Sequence, residues 1–328
     1  MRLSWFGGAM LALHGLAVQA QTVPADELAR RSVERRATEA MIWAMPAVNT
    51  DLMLQEALSK TKAKPNDIVF WSQPVNWKNQ TLTPNPDSIY FMSFWNVKDG
   101  PVVIQIPPAK GGSIAGNIVT IWQMPLEDAG PEGADRGKGG KYLITPPGYK
   151  GRVPAGYFHL PSDSYSGFAL LRANLPSHSA ADIAKSVAYG KQVRIYPLSR
   201  AASPPATNFV DAYDVMFDST IKYDASFYRN LDRVVQNEPW LQRDRAMIDQ
   251  LKTLGIEKGS PSPQMRRRRT LSRRAPGKPA RCSRSATRPG SPSSTRVSAG
   301  FQPRCQRSSR RSRTATPIST SIPSMRAA

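Results

Sequence analysis

The stretch that most constrains this chain is residues 79–95, NQTLTPNPDSIYFMSFW. Its first half is a turn. Pro84 and Pro86 keep Thr83 and Asn85 out of the helical region, because a proline ring crowds the residue before it. Asn85 and Asp87 can bond their own backbone and stiffen the turn. The second half is an apolar, aromatic run without a charge, read as a strand over residues 89–97. Helical structure must therefore end before this stretch, and β structure begins within it.

Upstream, Val33, Ala37, Ala40, Met41 and Ala44 recur at helical spacing and predict a helix over 26–44. Pro46, with no N–H and a ring that clashes with the preceding turn, should break or kink it. A second short helix, capped by Asn49 or Thr50, should run to 58. Strands are expected at 68–72, 102–106, 114–124, 142–145, 158–160, 168–172 and 193–196. Asp99-Gly100 makes a hairpin of 89–97 and 102–106, and 127–140, EDAGPEGADRGKGG, reads as a flexible loop. Ser179, with Asp182 three residues on, opens a helix that Gly190 ends. Further helices are expected at 209–219, at 226–236 capped by Asp224, and at 241–254 with Gly255 just past its end. The class is α+β. An antiparallel β-sandwich or barrel-like central domain (61–200) follows an N-terminal helical segment (21–60) and precedes a helical connector (206–259).

The net charge of +21 resides at one end. From Met265 onward there are 17 Lys and Arg and no acid, leaving 28 basic residues against 24 acids and a net of +4 for the rest. Both cysteines, Cys282 and Cys305, lie in this end as well. The body thus has no disulfide framework, thiol nucleophile or cysteine metal site. Residues 260–328 read as a disordered basic tail. A selected tail of this kind would bind nucleic acid or anionic lipid. Nucleic acid is disfavoured because few aromatics are present for stacking. A shifted reading frame in a GC-rich gene is the preferred explanation. Codons can be chosen for MRRRRTLSRRAPGKPARCSRSAT so that the neighbouring frame encodes an amphipathic helix of ordinary charge.

At the other end, MRLSWFGGAMLALHGLAVQA has Arg2, an apolar run too short to span a bilayer, and small residues before a cut after Ala20. This is read as a secretory signal over 1–20, with a periplasmic or secreted product and no membrane span after cleavage.

No strong catalytic motif appears. The glycines of 130–140 lack the phosphate-loop order. Glu127, Asp128 and Asp135 lack the alternation of a calcium loop. Ser166, His159 and Asp163 lack a nucleophile elbow. No metal or cofactor is expected. The best candidate surface is Thr81, Thr83, Asn85, Asp87 and Tyr90, with Trp77, Trp95 and Trp122 as aromatic neighbours, a mix suited to a small molecule or glycan. From it, Thr83, Asn85, Asp87, Tyr90 and Trp122 are taken as ligand-binding residues. The plainer alternative is a rigid turn whose side chains satisfy its own backbone.

The runs NQTLTPNPDSIYFMSFWNVKDGPVVIQIP, IVTIWQMPLEDAG and GKGGKYLITPPGYKGRVPAGYFHL together resemble the domain of unknown function DUF1254, over residues 41–198. The resemblance implies an exported or envelope bacterial protein. Many members continue through a helical connector into a second, jelly-roll-like domain, DUF1214. This sequence departs there, and its out-of-frame peptides resemble the missing continuation. The resemblance carries no catalytic residue across. The leading expectation is a ligand-binding or structural envelope module. The alternative is a hydrolase-like enzyme acting through residues 83–90, impaired without the second domain. The connector helices should then expose apolar stripes with nothing to cover them.

Overall fold

A computed structural model describes residues 23–81 and 85–260. The expected signal, residues 82–84 with Thr83, and the tail beyond 260 lie outside the described residues. The chain opens with α1 (Ala25–Lys60), one 36-residue helix that continues through Pro46. The chain does not break there, and the separate second helix expected from Asn49 or Thr50 is corrected. Pro46 costs the carbonyl of Ile42 its helical partner. Ile42 is also the most exposed large apolar residue of the helix. The carbonyl of Pro46 itself accepts from the Thr50 hydroxyl at 3.0 Å and from Gln123 Nε2 at 3.2 Å, which holds the turn in place.

Next come β1 (Ile68–Phe70), β2 (Asn79–Gln80), β3 (Ser88–Ser93), β4 (Val102–Ile106), β5 (Ile114–Thr120) and β6 (Pro125–Ala129). After β7 (Gly140–Thr145), β8 (Phe158–Pro161) and β9 (Gly167–Asn174) the chain forms α2 (Ala180–Gly190) and β10 (Arg194–Pro197). It ends with β11 (Phe209–Asp211), β12 (Phe217–Asp218), α3 (Ala225–Asn237) and α4 (Arg245–Thr253). The strands make a six-stranded sheet, β11-β1-β3-β9-β5-β6, a four-stranded sheet, β10-β4-β7-β8, and the pair β12-β2. The class is α+β, as expected. Most pairs are antiparallel, but β1–β11, β7–β8 and β2–β12 are parallel, and neither large sheet closes into a barrel.

β3 shows why the central run has no polar face. Ile89 and Phe91 enter a core shared with Ile104 of β4 and Tyr142 and Ile144 of β7. Tyr90 and Met92 point the other way, onto Met53 and Ala57 of α1 and Phe217 of β12. A strand covered on both faces has no side left to be polar. Each such apolar side chain contributes roughly 1.5–3 kcal/mol when fully buried.

This double coverage overturns the expected hairpin. β3 pairs with β1 and β9, while β4 pairs with β10 and β7, so Asp99-Gly100 carries the chain from one sheet to the other. The loop expected at 127–140 is corrected too. It begins as β6 and then folds around the buried side chain of Asp135, which binds the N–H groups of Gly130 and Gly139. Both glycines have positive φ, 106° and 75°. The helix expected at 209–219 is instead β11 and β12. Phe209 and Val210 find a partner in β1, and the Asp211 carboxylate accepts from the N–H groups of Ser72 and Tyr213.

The later helices follow their sequence signals. Ser179 caps α2 by accepting from the Asp182 N–H, Asp224 caps α3, and Gly255, at φ 79°, follows α4. Their apolar faces are covered, contrary to expectation. Phe227, Leu231 and Val235 of α3 and Leu251 of α4 pack on Ala40, Ala44 and Val48 of α1. The Tyr228 hydroxyl reaches the Ala37 carbonyl at 2.9 Å, and Arg233 pairs with the buried Asp51.

Candidate functional site

Three of the residues selected from sequence sit together. The Tyr90 hydroxyl accepts from the Asn85 N–H at 2.7 Å, and Asn85 Oδ1 accepts from the Asp87 N–H at 2.8 Å. Asp87 Oδ1 lies 3.0 Å from His178 Nε2, with both side chains exposed. The Arg172 guanidinium lies 5.7 Å from the centre of the Tyr90 ring. Among the described residues His178 bonds only Asp87, so no hydroxyl nucleophile completes a relay there. The Thr81 hydroxyl accepts from that of Ser219 at 3.1 Å.

Trp122 is elsewhere. Tyr90 pairs with Arg172, and Arg172 with Ala115, seven residues before Trp122. At about 3.3 Å per residue this puts Trp122 roughly 20 Å away, at the other end of the sheet. Trp77 is exposed and Trp95 is buried in the core. The tryptophans therefore do not line the 85–90 turn.

Trp122 occupies the turn between β5 and β6. Gln123 there has φ 58°, a left-handed conformation uncommon outside glycine. Its amide donates to Asn49 Oδ1 of α1 at 2.9 Å, which fixes the turn against that helix. The Trp122 ring consequently meets Trp43 of α1, with centroids 4.6 Å apart and planes tilted by 48°. Val235 and Glu238 from the end of α3, then Trp240, Leu241 and Asp244, complete a small cavity of about 10 Å³. That is room for about one water molecule.

Glu238 is the unusual member. It is 3 % exposed and stands at the C-terminal end of α3, where the helix dipole disfavours a negative charge. Its Oε2 accepts from the Tyr165 N–H at 2.6 Å, while Oε1 is buried with no hydrogen-bond partner. Burial pushes its pKa above the ordinary carboxylate value, against the opposing pull of hydrogen bonds from Ser166 and Tyr165 and of the Lys98 charge. The Lys258 ammonium donates to the carbonyls of Val235, Gln236 and Glu238, closing the end of α3. Sequence reasoning missed Glu238, Trp43 and Trp240. An acid at a helix C-terminus, directly before Pro239, was the available signal.

The other combinations stay apart. His159 Nε2 lies 3.1 Å from the Thr145 hydroxyl, Asp163 pairs with Arg243, and the Ser166 hydroxyl accepts from Asn96. Asp128 accepts from Asn117 while Asp135 serves its own turn, and among the described residues no three His, Cys, Asp or Glu side chains gather. A wider cleft of about 430 Å³ lies between α1, α3 and the segment after β12, with Glu56, Lys60, Asp218 and Lys222 on its walls. Its acids are already engaged. Glu56 accepts from the Asp218 N–H, and a hydrogen bond from Thr220 lowers the Asp218 pKa.

Comparison with known proteins adds the family. No curated protein matches the chain. A Vibrio parahaemolyticus crystal structure is similar at a TM-score of 0.49 and 16% identity, over 72% of this chain and 55% of that one. An uncharacterized Burkholderia cenocepacia protein gives 0.24 and 11%, over 45% and 44%. The chain thus spans only about half the length of either. Residues 65–197 match the model of DUF1254, a protein family of unknown function, which is the family that the motifs of this stretch resemble.

Proposed function

We propose that this chain is an exported bacterial envelope protein that binds a small molecule where α1, the β5–β6 turn and the end of α3 meet. The observation that carries the reading is Glu238 Oε1, buried beside tryptophan walls without a partner. A buried polar atom left unpaired costs about 1–3 kcal/mol, so its retention points to something that satisfies it. Aromatic walls with a few ionisable groups among them, here Glu238 and Asp244, recur in ligand sites. In this reading the turn at Asn85, Asp87 and Tyr90 braces the far end of the sheet.

Export to the periplasm or the exterior rests on the signal expected over residues 1–20 and on a body without cysteine. No described helix is long and apolar enough to cross a membrane.

A small-molecule library screened by thermal shift on the full chain tests the binding role. Compounds that raise the melting temperature of the wild type but not of Trp122→Ala support it. A library that moves neither protein, or both equally, overturns it. Export is tested by the N-terminal sequence of the fractionated protein. A cytoplasmic product still starting at Met1 overturns that part.

A further inference from the structure

We propose that the outer face of the four-stranded sheet docks on an anionic phospholipid surface, an inference independent of the ligand role above. The first argument is how charge is distributed. The strands of this sheet lie within residues 100–126, 136–162 and 183–210, which together hold ten Lys and Arg and no Asp or Glu. The chain before Met265 is only +4 overall, so its acids are gathered elsewhere. Among the described residues none of the ten forms a salt bridge. A patch of one sign without internal compensation repels itself and attracts a surface of the opposite sign.

The second argument is the register. Arg194 of β10, Gln105 of β4 and Lys141 of β7 stand in one row across the sheet. At about 4.8 Å per strand the two cations are roughly 10 Å apart at the backbone. Each lies beside a tyrosine. The Arg194 guanidinium is 5.8 Å from the Tyr196 ring centre, and Lys141 Nζ is 5.4 Å from that of Tyr157. Gln105 Oε1 accepts from the Tyr196 hydroxyl at 3.2 Å, which leaves the Gln105 NH2 to donate outward. Burial raises the Tyr196 pKa, and the ionisable groups that modify it are Tyr157 and Arg194, with no carboxylate among them.

The third argument selects a membrane. Val103 and Leu143, on the same face as the row, are covered by Val153 and Ala201 of the flanking loops. Those loops carry Lys150, Arg152 and Arg200, all exposed. The cations are thus spread over a broad face rather than gathered around one point, which suits a plane of many phosphates better than a single small anion. Each Lys or Arg near an anionic bilayer strengthens binding about fivefold, and tyrosine favours the headgroup level. Tyr157 and Tyr196 already hold a cation against their rings, which leaves them poor platforms for stacking bases.

The test labels the lysine amines of the full chain and reads each residue by mass spectrometry. Vesicles of phosphatidylcholine with about a third phosphatidylglycerol should slow labelling of Lys141 and Lys150 severalfold, and high salt should abolish the effect. Lys60 ends α1, on the far side of the six-stranded sheet, and should label as it does without vesicles. Arg152→Gln with Arg200→Gln should raise the lipid concentration that half-protects Lys150 by at least about tenfold. If that double variant fails to fold, Lys141→Gln decides, with weakened protection of Lys150 expected.

Lys141 and Lys150 labelled as fast with vesicles as without overturn the proposal. So do equal protection of Lys60, protection by pure phosphatidylcholine, and an unchanged midpoint in the deciding variant. Protection confined to residues beyond 260 assigns lipid binding to the basic end and also overturns it. Short duplex DNA that protects Lys141 and Lys150 as well as the vesicles do marks a general polyanion face, and the lipid assignment falls.

Discussion

Replacing Asp135 tests whether the glycine-rich segment between β6 and β7 is built around one carboxylate. The side chain is 4 % exposed. Its Oδ1 accepts from the Gly130 N–H at 2.6 Å and from the Tyr142 hydroxyl at 2.9 Å, and its Oδ2 accepts from the Gly139 N–H at 3.0 Å. Asp135→Ala would leave two backbone N–H groups unpaired and the Tyr142 hydroxyl with only its longer bond to the Asp128 carbonyl, at 3.3 Å. Each such group costs about 1–3 kcal/mol. Gly139 is only half-buried, and losses within one cluster do not simply add. The expected total is about 3–5 kcal/mol. Asp135→Asn discriminates further. Its oxygen can keep the two Oδ1 bonds, but its NH2 must then face the Gly139 N–H, donor against donor, at a cost of about 2 kcal/mol. Urea unfolding of the full chain, followed by far-UV circular dichroism, measures both. Burial, and secondarily Asp135, raise the Tyr142 hydroxyl pKa, so its ionisation should move to lower pH in the alanine variant. An alanine variant within about 0.5 kcal/mol of wild type would refute the reasoning, as would an asparagine variant as damaged as alanine.

Two further expectations concern the helical layer. Asp51 accepts from Arg233 Nε at 3.0 and 2.9 Å and also from Nη2, but about a third of the Arg233 side chain reaches solvent. Asp51→Ala should therefore cost about 2–3 kcal/mol, less than for a fully buried pair, and Asp51→Leu with Arg233→Met should recover most of it. Chemical denaturation of the set checks this, and a double variant as unstable as the sum of its singles would contradict it. Glu238, whose folded pKa lies above its unfolded value, should make stability depend on pH. Between the two values the folded chain keeps a proton that the unfolded chain has released, so stability falls as pH rises through that window and stays lower above it. Glu238→Gln should flatten the fall in denaturation series from about pH 4 to pH 8, and equal slopes in both proteins would exclude Glu238 as the source.

Helix ends were legible in the sequence because their signals are local. Ser179, Asp224 and Gly255 act on backbone groups within a turn of themselves. Strand partners were not legible in the same way. Asp99-Gly100 suits a hairpin or a corner between sheets, and only the burial of β3 on both faces decides between them. Phe209 and Val210 fit helix or strand by period alone, and the choice is made by the edge of β1, 141 residues earlier. Pro46 reads as a helix end because the sequence does not show that Gln123 and Thr50 secure its turn.

The site was half legible. Trp122 stood out as a tryptophan in a strand, but its neighbours come from α1 and from beyond α3. The turn at Asn85, Asp87 and Tyr90 was legible as a turn because Asx bonding is local. Its distance from Trp122 depends on the register of β3, β9 and β5, which no local pattern encodes.

The parallel pairing of β1 with β11 bears on how the molecule is made. Until Asp211 has emerged from the ribosome, β1 keeps one row of backbone donors and acceptors uncovered, and such a row recruits neighbouring chains. A recombinant fragment trimmed to the family boundary at residue 197 would retain that sticky margin permanently. A cloning boundary placed after α4 supplies both the missing strand and the helices that shield α1.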